Sequence, residues 1–106
     1  MKIRFLYFDG CPNKDKALSI LNEVIKEKGL NLEMEVIKIE SYEDAIKYNF
    51  LGSPTIQING IDIEKERRND KPLFGCRFYK TKEGLKGYPT KEMIINAIDE
   101  IIKNNL

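Results

Sequence analysis

An α/β domain with a mixed four-stranded sheet and helices on both faces is the fold class this sequence predicts. Three observations carry the prediction. An apolar segment at residues 3–8 gives way to helical periodicity at about residue 11, a second alternating segment follows at 32–39, and Asn59-Gly60 lies between two alternating apolar runs. The first two make a β-α-β unit whose strands pair in parallel across a right-handed crossover. Asn-Gly is the strongest short-range hairpin signal and demands antiparallel neighbours. The expected order is β-α-β-α-β-β-α, in one domain spanning residues 1–106, a length that supports a single core.

Each element has a local cause. Residues 3–8 are rich in β-formers and apolar on both faces, which suits an interior strand. From Cys11-Pro12 onward the period changes: Ala17, Leu18, Leu21, Val24 and Ile25 recur at helical spacing, and Lys28-Gly29 closes the helix. Pro12 falls in its first turn, where a missing N–H costs nothing. Residues 32–39 alternate with period two and read as a second strand. Ser41 and Asp44 have capping-box spacing, and Ala45, Ile46 and Phe50 line a short helix that ends at Gly52.

Pro54 opens the next strand, a position where proline is tolerated, and Ile56, Ile58, Ile61 and Ile63 alternate around the turn. Residues 64–72 are polar without periodicity. They predict an irregular excursion at about 64–75, with Arg67-Arg68 as a solvated face. Phe74 to Lys80 returns as one strand, and Lys82 to Gly87 reads as a flexible loop. Thr90 caps a terminal helix striped by Met93, Ile94, Ala97, Ile98, Ile101 and Ile102.

Composition narrows the function. With 18 basic and 17 acidic residues the net charge is +1, so no global field recruits nucleic acid or an anionic membrane. No leader pattern or bilayer-length apolar run is present, and a cytoplasmic location is expected. There thiols stay reduced, and two cysteines are catalytic, sensing or metal-binding rather than a permanent staple. The chain has no histidine, which excludes imidazole bases and Cys-His dyads within one chain. No cofactor is expected; the chemistry rests on sulfur, carboxylate, amine or phenol.

Cys11 stands at the expected strand-to-helix junction. A thiol on the first turn of a helix faces unpaired N–H groups and the positive end of the macrodipole, which favour the thiolate. Lys14, one turn on, reinforces that effect and Asp9 opposes it. The plain alternative is a small inert hydrophobe under the helix. Cys76 is either a core-facing strand residue or a thiol that resolves an adduct on Cys11. The second role requires the two Cα atoms to come within about 7 Å. Arg77 either snorkels from its strand or holds a carboxylate. Tyr7, Tyr42, Tyr48, Tyr79 and Tyr88 read as amphipathic packing, with Tyr7 and Tyr79 the candidates to line a thiol pocket.

Phe8-Asp9-Gly10-Cys11-Pro12 and Gly52-Ser53-Pro54-Thr55, placed in this element order, resemble the active-site and cis-proline segments of the thioredoxin-like superfamily. The whole chain is similar to small thioredoxin-like (seleno)proteins sometimes filed as alkylmercury-lyase-like. It shares with them Phe50 to Thr55, Asn59-Gly60, and Cys76-Arg77-Phe78-Tyr79 through Gly84, Gly87 and Pro89. The resemblance implies that Pro54 is cis and packs against Cys11. It also implies that Pro12, Ser53, Pro54 and Thr55 receive a partner, with the Ser53 backbone groups free to pair with an extended thiol-bearing substrate. The departure is Lys14, which stands where the two-cysteine motif has its second cysteine.

The leading expectation is a thioredoxin-like thiol redox protein, an oxidoreductase if it turns over, with Cys11 as nucleophile and Asp9 and Lys14 modulating it. Its partner is a thiol or disulfide, protein or small molecule, and either Cys76 or an external thiol resolves the adduct. One alternative is a soft-metal or organomercurial protein using Cys11 and Cys76 as thiolate ligands, with Asp9 as the proton donor a lyase needs. The other is a thioredoxin-fold interaction module without chemistry.

Overall fold

The structure, a computed structural model, describes residues 1–104. Strand β1 (Lys2–Tyr7) leads through a turn into helix α1 (Lys14–Lys28), and β2 (Glu33–Lys38) returns beside β1 in parallel. Helix α2 (Tyr42–Tyr48), β3 (Leu51–Ser53), β4 (Thr55–Ile58) and β5 (Ile61–Asp62) follow. After a single 3-10 turn at Lys65–Arg67 come β6 (Leu73–Cys76), β7 (Tyr79–Thr81), β8 (Gly84–Lys86) and helix α3 (Lys91–Lys103). The main sheet has the order β2-β1-β4-β5, antiparallel from β1 onward, so the mixed four-stranded sheet is as the sequence predicts. No helix among the described residues is long and apolar enough to cross a membrane.

Period two explains the two layers. Ile3 and Phe5 on β1, with Ile56 and Ile58 opposite them on β4, face α1 and α3 through Ala17, Leu21, Val24, Ile94, Ala97, Ile98 and Ile101. Leu6, one step out of phase, packs with Ile39, Ala45 and Phe50 on the α2 side. Lys28 reaches Asp99 at 2.8 Å and Lys91 pairs with Glu23 and Glu27, linking α1 to α3. Solvated pairs of this kind add little to stability, so apolar burial holds the layers together.

The predicted caps form. Ser41 Oγ accepts from Asp44 N–H at 3.1 Å, while the Asp44 carboxylate accepts from Glu40 N–H rather than from the cap residue itself. Thr90 Oγ1 accepts from Met93 N–H at 3.1 Å.

Four expectations need correction. Helix α1 starts at Lys14 with Asn13 as its N-cap, so Cys11 and Pro12 precede the helix. The segment 74–80 is two strands, not one, because the chain turns inward at Arg77. Residues 82–87 do not form a loop: β7 and β8 pair antiparallel as a hairpin, closed by Thr81 Oγ1, which donates to the Gly84 carbonyl at 2.6 Å. The excursion is exposed at Lys65, Glu66, Asn69, Asp70 and Lys71, but its two arginines are engaged rather than solvated. Arg68 donates to the Asp62 carbonyl at 2.7 Å and grips Glu100 of α3 through both terminal nitrogens, at 2.9 and 3.2 Å, and Arg67 pairs with Asp70 at 2.9 Å.

Candidate functional site

Cys11 is half-buried in the turn after β1. Its N–H donates to the Phe8 carbonyl at 3.2 Å, and its own carbonyl accepts from Lys14 N–H at 3.4 Å. Because it precedes the N-cap by two residues, the macrodipole reaches it less strongly than a first-turn position. The two groups expected to modulate it are engaged elsewhere. The Lys14 ammonium lies 4.4 Å from the centroid of the Tyr7 ring. The Asp9 carboxylate is 87% exposed and lies 3.9 Å from Lys38 Nζ, which leaves a lyase reaction without a sheltered proton donor.

The Ser53–Pro54 peptide bond is cis. Ser53 Oγ accepts from Phe8 N–H at 3.2 Å, which seats this loop against the residue where the Cys11 turn begins. Strand β6 lies parallel to β3, with Cys76 across from Ser53 and an irregularity between this pair and the Leu51–Leu73 pair. Pro54 has no N–H, so the bridge at Ser53 has to use Ser53's own backbone groups. The Ser53 carbonyl accepts from Arg77 N–H at 3.1 Å. The expectation that these groups are free for a substrate is therefore overturned. The chain's own strand occupies the position, and it carries a cysteine there.

Cys76 is exposed, so the core-facing reading fails. It precedes the inward-pointing Arg77, and period two turns it outward. The Phe8 and Phe74 rings meet edge to face at 5.9 Å between centroids, closing the gap between the end of β1 and β6. Ser53, Pro54 and Thr55 are buried and Pro12 is exposed. Of the four residues expected to receive a partner, Pro12 alone presents surface.

Arg77 is the residue that sequence reasoning places least well. Its side chain does not snorkel; it is buried and holds carboxylates. Nη1 and Nη2 donate in parallel to the two oxygens of Asp62, each at 2.7 Å, and Nη2 also donates to Glu64 at 3.0 Å. Nη1 reaches Thr55 Oγ1 at 3.2 Å. Burial penalises the guanidinium charge, but Tyr79, Asp62 and Glu64 outweigh that penalty and hold Arg77 above its ordinary range. Asp62 Oδ1 also accepts from Glu64 N–H at 2.8 Å, and Glu64 accepts from Lys80 N–H at 3.2 Å. Gly52 lets this cluster close: at φ 102° any other residue is strained, and an added Cβ would stand 2.9 Å from the Arg77 Cβ.

Tyr79 is fully buried. Its ring centroid lies 4.2 Å from the Arg77 guanidinium, and its hydroxyl donates to the Pro54 carbonyl at 2.5 Å. Tyr79 supports the proline loop from below, whereas Tyr7 carries the Lys14 ammonium. Burial, with Asp62 and Glu64 adding to it, pushes the Tyr79 phenol well above the usual tyrosine range. A group whose pKa is raised on folding contributes its stability below the unfolded value, about 10 for tyrosine, and loses it as pH climbs past that value. Stability measured by urea titration should therefore fall as pH rises above about 10, and Tyr79→Phe should flatten the decline. An unchanged slope in the variant would assign the loss to other groups.

A cavity of about 810 Å³ is lined by Ile63, Glu64, Lys80, Lys82, Met93 and Glu100 among others, and by neither thiol.

Residues 1–62 match a family model described as a thioredoxin domain. The chain belongs to the thioredoxin domain family. No curated protein and no solved structure matches it. The thioredoxin-domain match takes in Cys11, the proline loop and Asp62, and stops there. Cys76, Arg77 and Tyr79 come from the segment beyond it. Their signal in the sequence is weak but physical: Asp62 and Glu64 share one face of an alternating segment, as do Arg77 and Tyr79 of another.

Proposed function

We propose that this thioredoxin-domain protein is a thiol-disulfide exchange protein in which Cys11 is the nucleophile and Cys76 the resolving thiol. The observation that carries the reading is the placement of Cys76 across from Ser53, the residue whose hydroxyl is bonded by the backbone three positions before Cys11. The thiol that the two-cysteine motif would carry at position 14 is supplied instead by strand β6. In the first step the Cys11 thiolate attacks one sulfur of a disulfide partner, forming a mixed disulfide and releasing the other sulfur as a thiolate. The Cys76 thiolate then attacks Cys11 Sγ, closes a Cys11–Cys76 bridge and expels the second thiolate. Two protein thiols are oxidised and one partner disulfide is reduced to two thiols.

Glutathione disulfide and intact-mass measurement test this. The wild-type protein is expected to end about two mass units lighter, without bound glutathione, as two thiol protons are lost when one bridge forms. Cys76→Ser should accumulate one glutathione on Cys11. A wild-type product carrying glutathione separately on both cysteines would sink the resolving role.

A further inference from the structure

We infer that the buried Arg77, Asp62, Glu64 and Tyr79 cluster is a positioning device for the thiol pair, fixing where Cys76 stands relative to Cys11. The inference rests on the resolving role proposed above.

Three consecutive residues of the proline loop are each held by the short segment that follows Cys76. The Ser53 carbonyl takes the Arg77 N–H at 3.1 Å, the Pro54 carbonyl takes the Tyr79 hydroxyl at 2.5 Å, and Thr55 Oγ1 takes Arg77 Nη1 at 3.2 Å. Thr55 Oγ1 in turn donates to the Gly52 carbonyl at 2.5 Å and accepts from Leu51 N–H at 3.3 Å, so the first two residues of β3 are tied to the same hydroxyl. The other end of the tie is the Asp62 and Glu64 pair at the end of the main sheet. The cluster thus joins the sheet, the proline loop and the residue covalently next to Cys76.

The rest of β6 is held at its surface, by the Phe74 ring against Phe8 and by the Leu73 N–H on the Phe50 carbonyl. Leu73, Phe74 and Cys76 are all exposed, and the strand pairs with β3 through an irregular register. Arg77 is the first inward-facing residue that follows, so it sets the depth and angle at which the strand ends. A bidentate guanidinium-carboxylate pair fixes direction as well as distance. Apolar residues replacing all three charged partners together would fill the space as stably, without that directional constraint.

Position is what the second exchange step requires. A disulfide forms only when the Cα atoms stand about 4.4–6.8 Å apart with the Cβ atoms turned toward each other. Misplacement on the order of 1 Å can cost about a hundredfold in a proximity-driven reaction. In that step Cys76 Sγ bonds to Cys11 Sγ while the bond from Cys11 to glutathione breaks and glutathione leaves as thiolate, so the cluster exchanges neither protons nor electrons.

The test uses the full chain in glutathione redox buffers. The effective concentration of Cys76 is read from the glutathione ratio at which half the protein holds the Cys11–Cys76 bridge. The alkylation rate of Cys11 is read separately in a Cys76→Ser background, and circular dichroism checks the fold. Arg77→Lys keeps a charge but loses the fork, and is expected to lower the effective concentration by about tenfold or more. Tyr79→Phe and Glu64→Gln are expected to lower it severalfold, and Cys11 alkylation should stay within about twofold throughout. Where Arg77→Lys fails to fold, the two milder variants decide. Effective concentrations unchanged in folded variants would overturn the positioning role and leave the exchange reading intact. A wild-type protein that forms no Cys11–Cys76 bridge at any ratio would overturn both.

Discussion

Arg77→Met should destabilise the protein by about 3–5 kcal/mol, the scale on which removing one partner of a buried ion pair acts. The substitution keeps an apolar side chain in a wholly buried site, but strips Asp62 and Glu64 of the guanidinium that makes three of their hydrogen bonds. Both carboxylates are then enclosed with little besides backbone N–H groups, and Glu64 keeps only a long contact to Arg67 at 3.8 Å. A native domain is stable by roughly 5–15 kcal/mol, so the variant stands near the threshold of folding. The measurement is the urea midpoint at neutral pH with the slope of the transition unchanged. Adding Asp62→Asn and Glu64→Gln to Arg77→Met should regain part of the loss, since neutral amides carry a smaller burial penalty than bare carboxylates. A midpoint shift equivalent to less than about 1 kcal/mol in the single variant would put the pair in the class of exposed salt bridges and contradict the burial on which the cluster is built.

The elements visible in the sequence are those whose cause is local. Strand β1 announces itself by a run of apolar β-formers, α1 by helical spacing, and the β4–β5 turn by Asn59-Gly60. Strand β3 leaves no such trace, because it is three residues long and exists only through pairing with β6, about twenty residues away in the chain. Non-local pairing leaves no periodicity to read. The β7–β8 hairpin lacks the Asn-Gly signature, and its turn is made instead by Thr81 Oγ1 and by Gly84 at φ 101°.

The site shows the same division. Cys11 and Pro54 sit in short motifs that single them out in the sequence, whereas the surroundings that decide their use are not legible there. The sequence suggests an early start for helix α1 because proline is acceptable at the first helical position; the helix begins at Lys14, and Asn13 before it makes no side-chain capping bond. Asp62 and Glu64 read as part of a hairpin and an exposed excursion, as charged residues usually are. Only the return of Arg77 to the same face of the fold makes them partners.

Cys11→Ser should lower the turnover of a small disulfide substrate by about a thousandfold or more, as removing a catalytic nucleophile does. Cys76→Ser should behave differently. It keeps the first step, so one equivalent of thiolate is released in a burst, and turnover then depends on an external thiol to clear Cys11. Spectrophotometric release of a coloured thiolate from an aromatic disulfide separates the two. Lys14→Cys provides the decisive comparison, because it supplies a thiol within one turn of Cys11 and removes the ammonium now seated on the Tyr7 ring. In that variant the bridge should move away from Cys76 and join Cys11 to the thiol introduced at position 14, and a further Cys76→Ser change should no longer slow turnover. Were Cys76 still required with a cysteine at position 14, its role would lie in binding the partner rather than in resolving the adduct. Equal bursts from wild type and Cys11→Ser would instead remove Cys11 from the chemistry altogether.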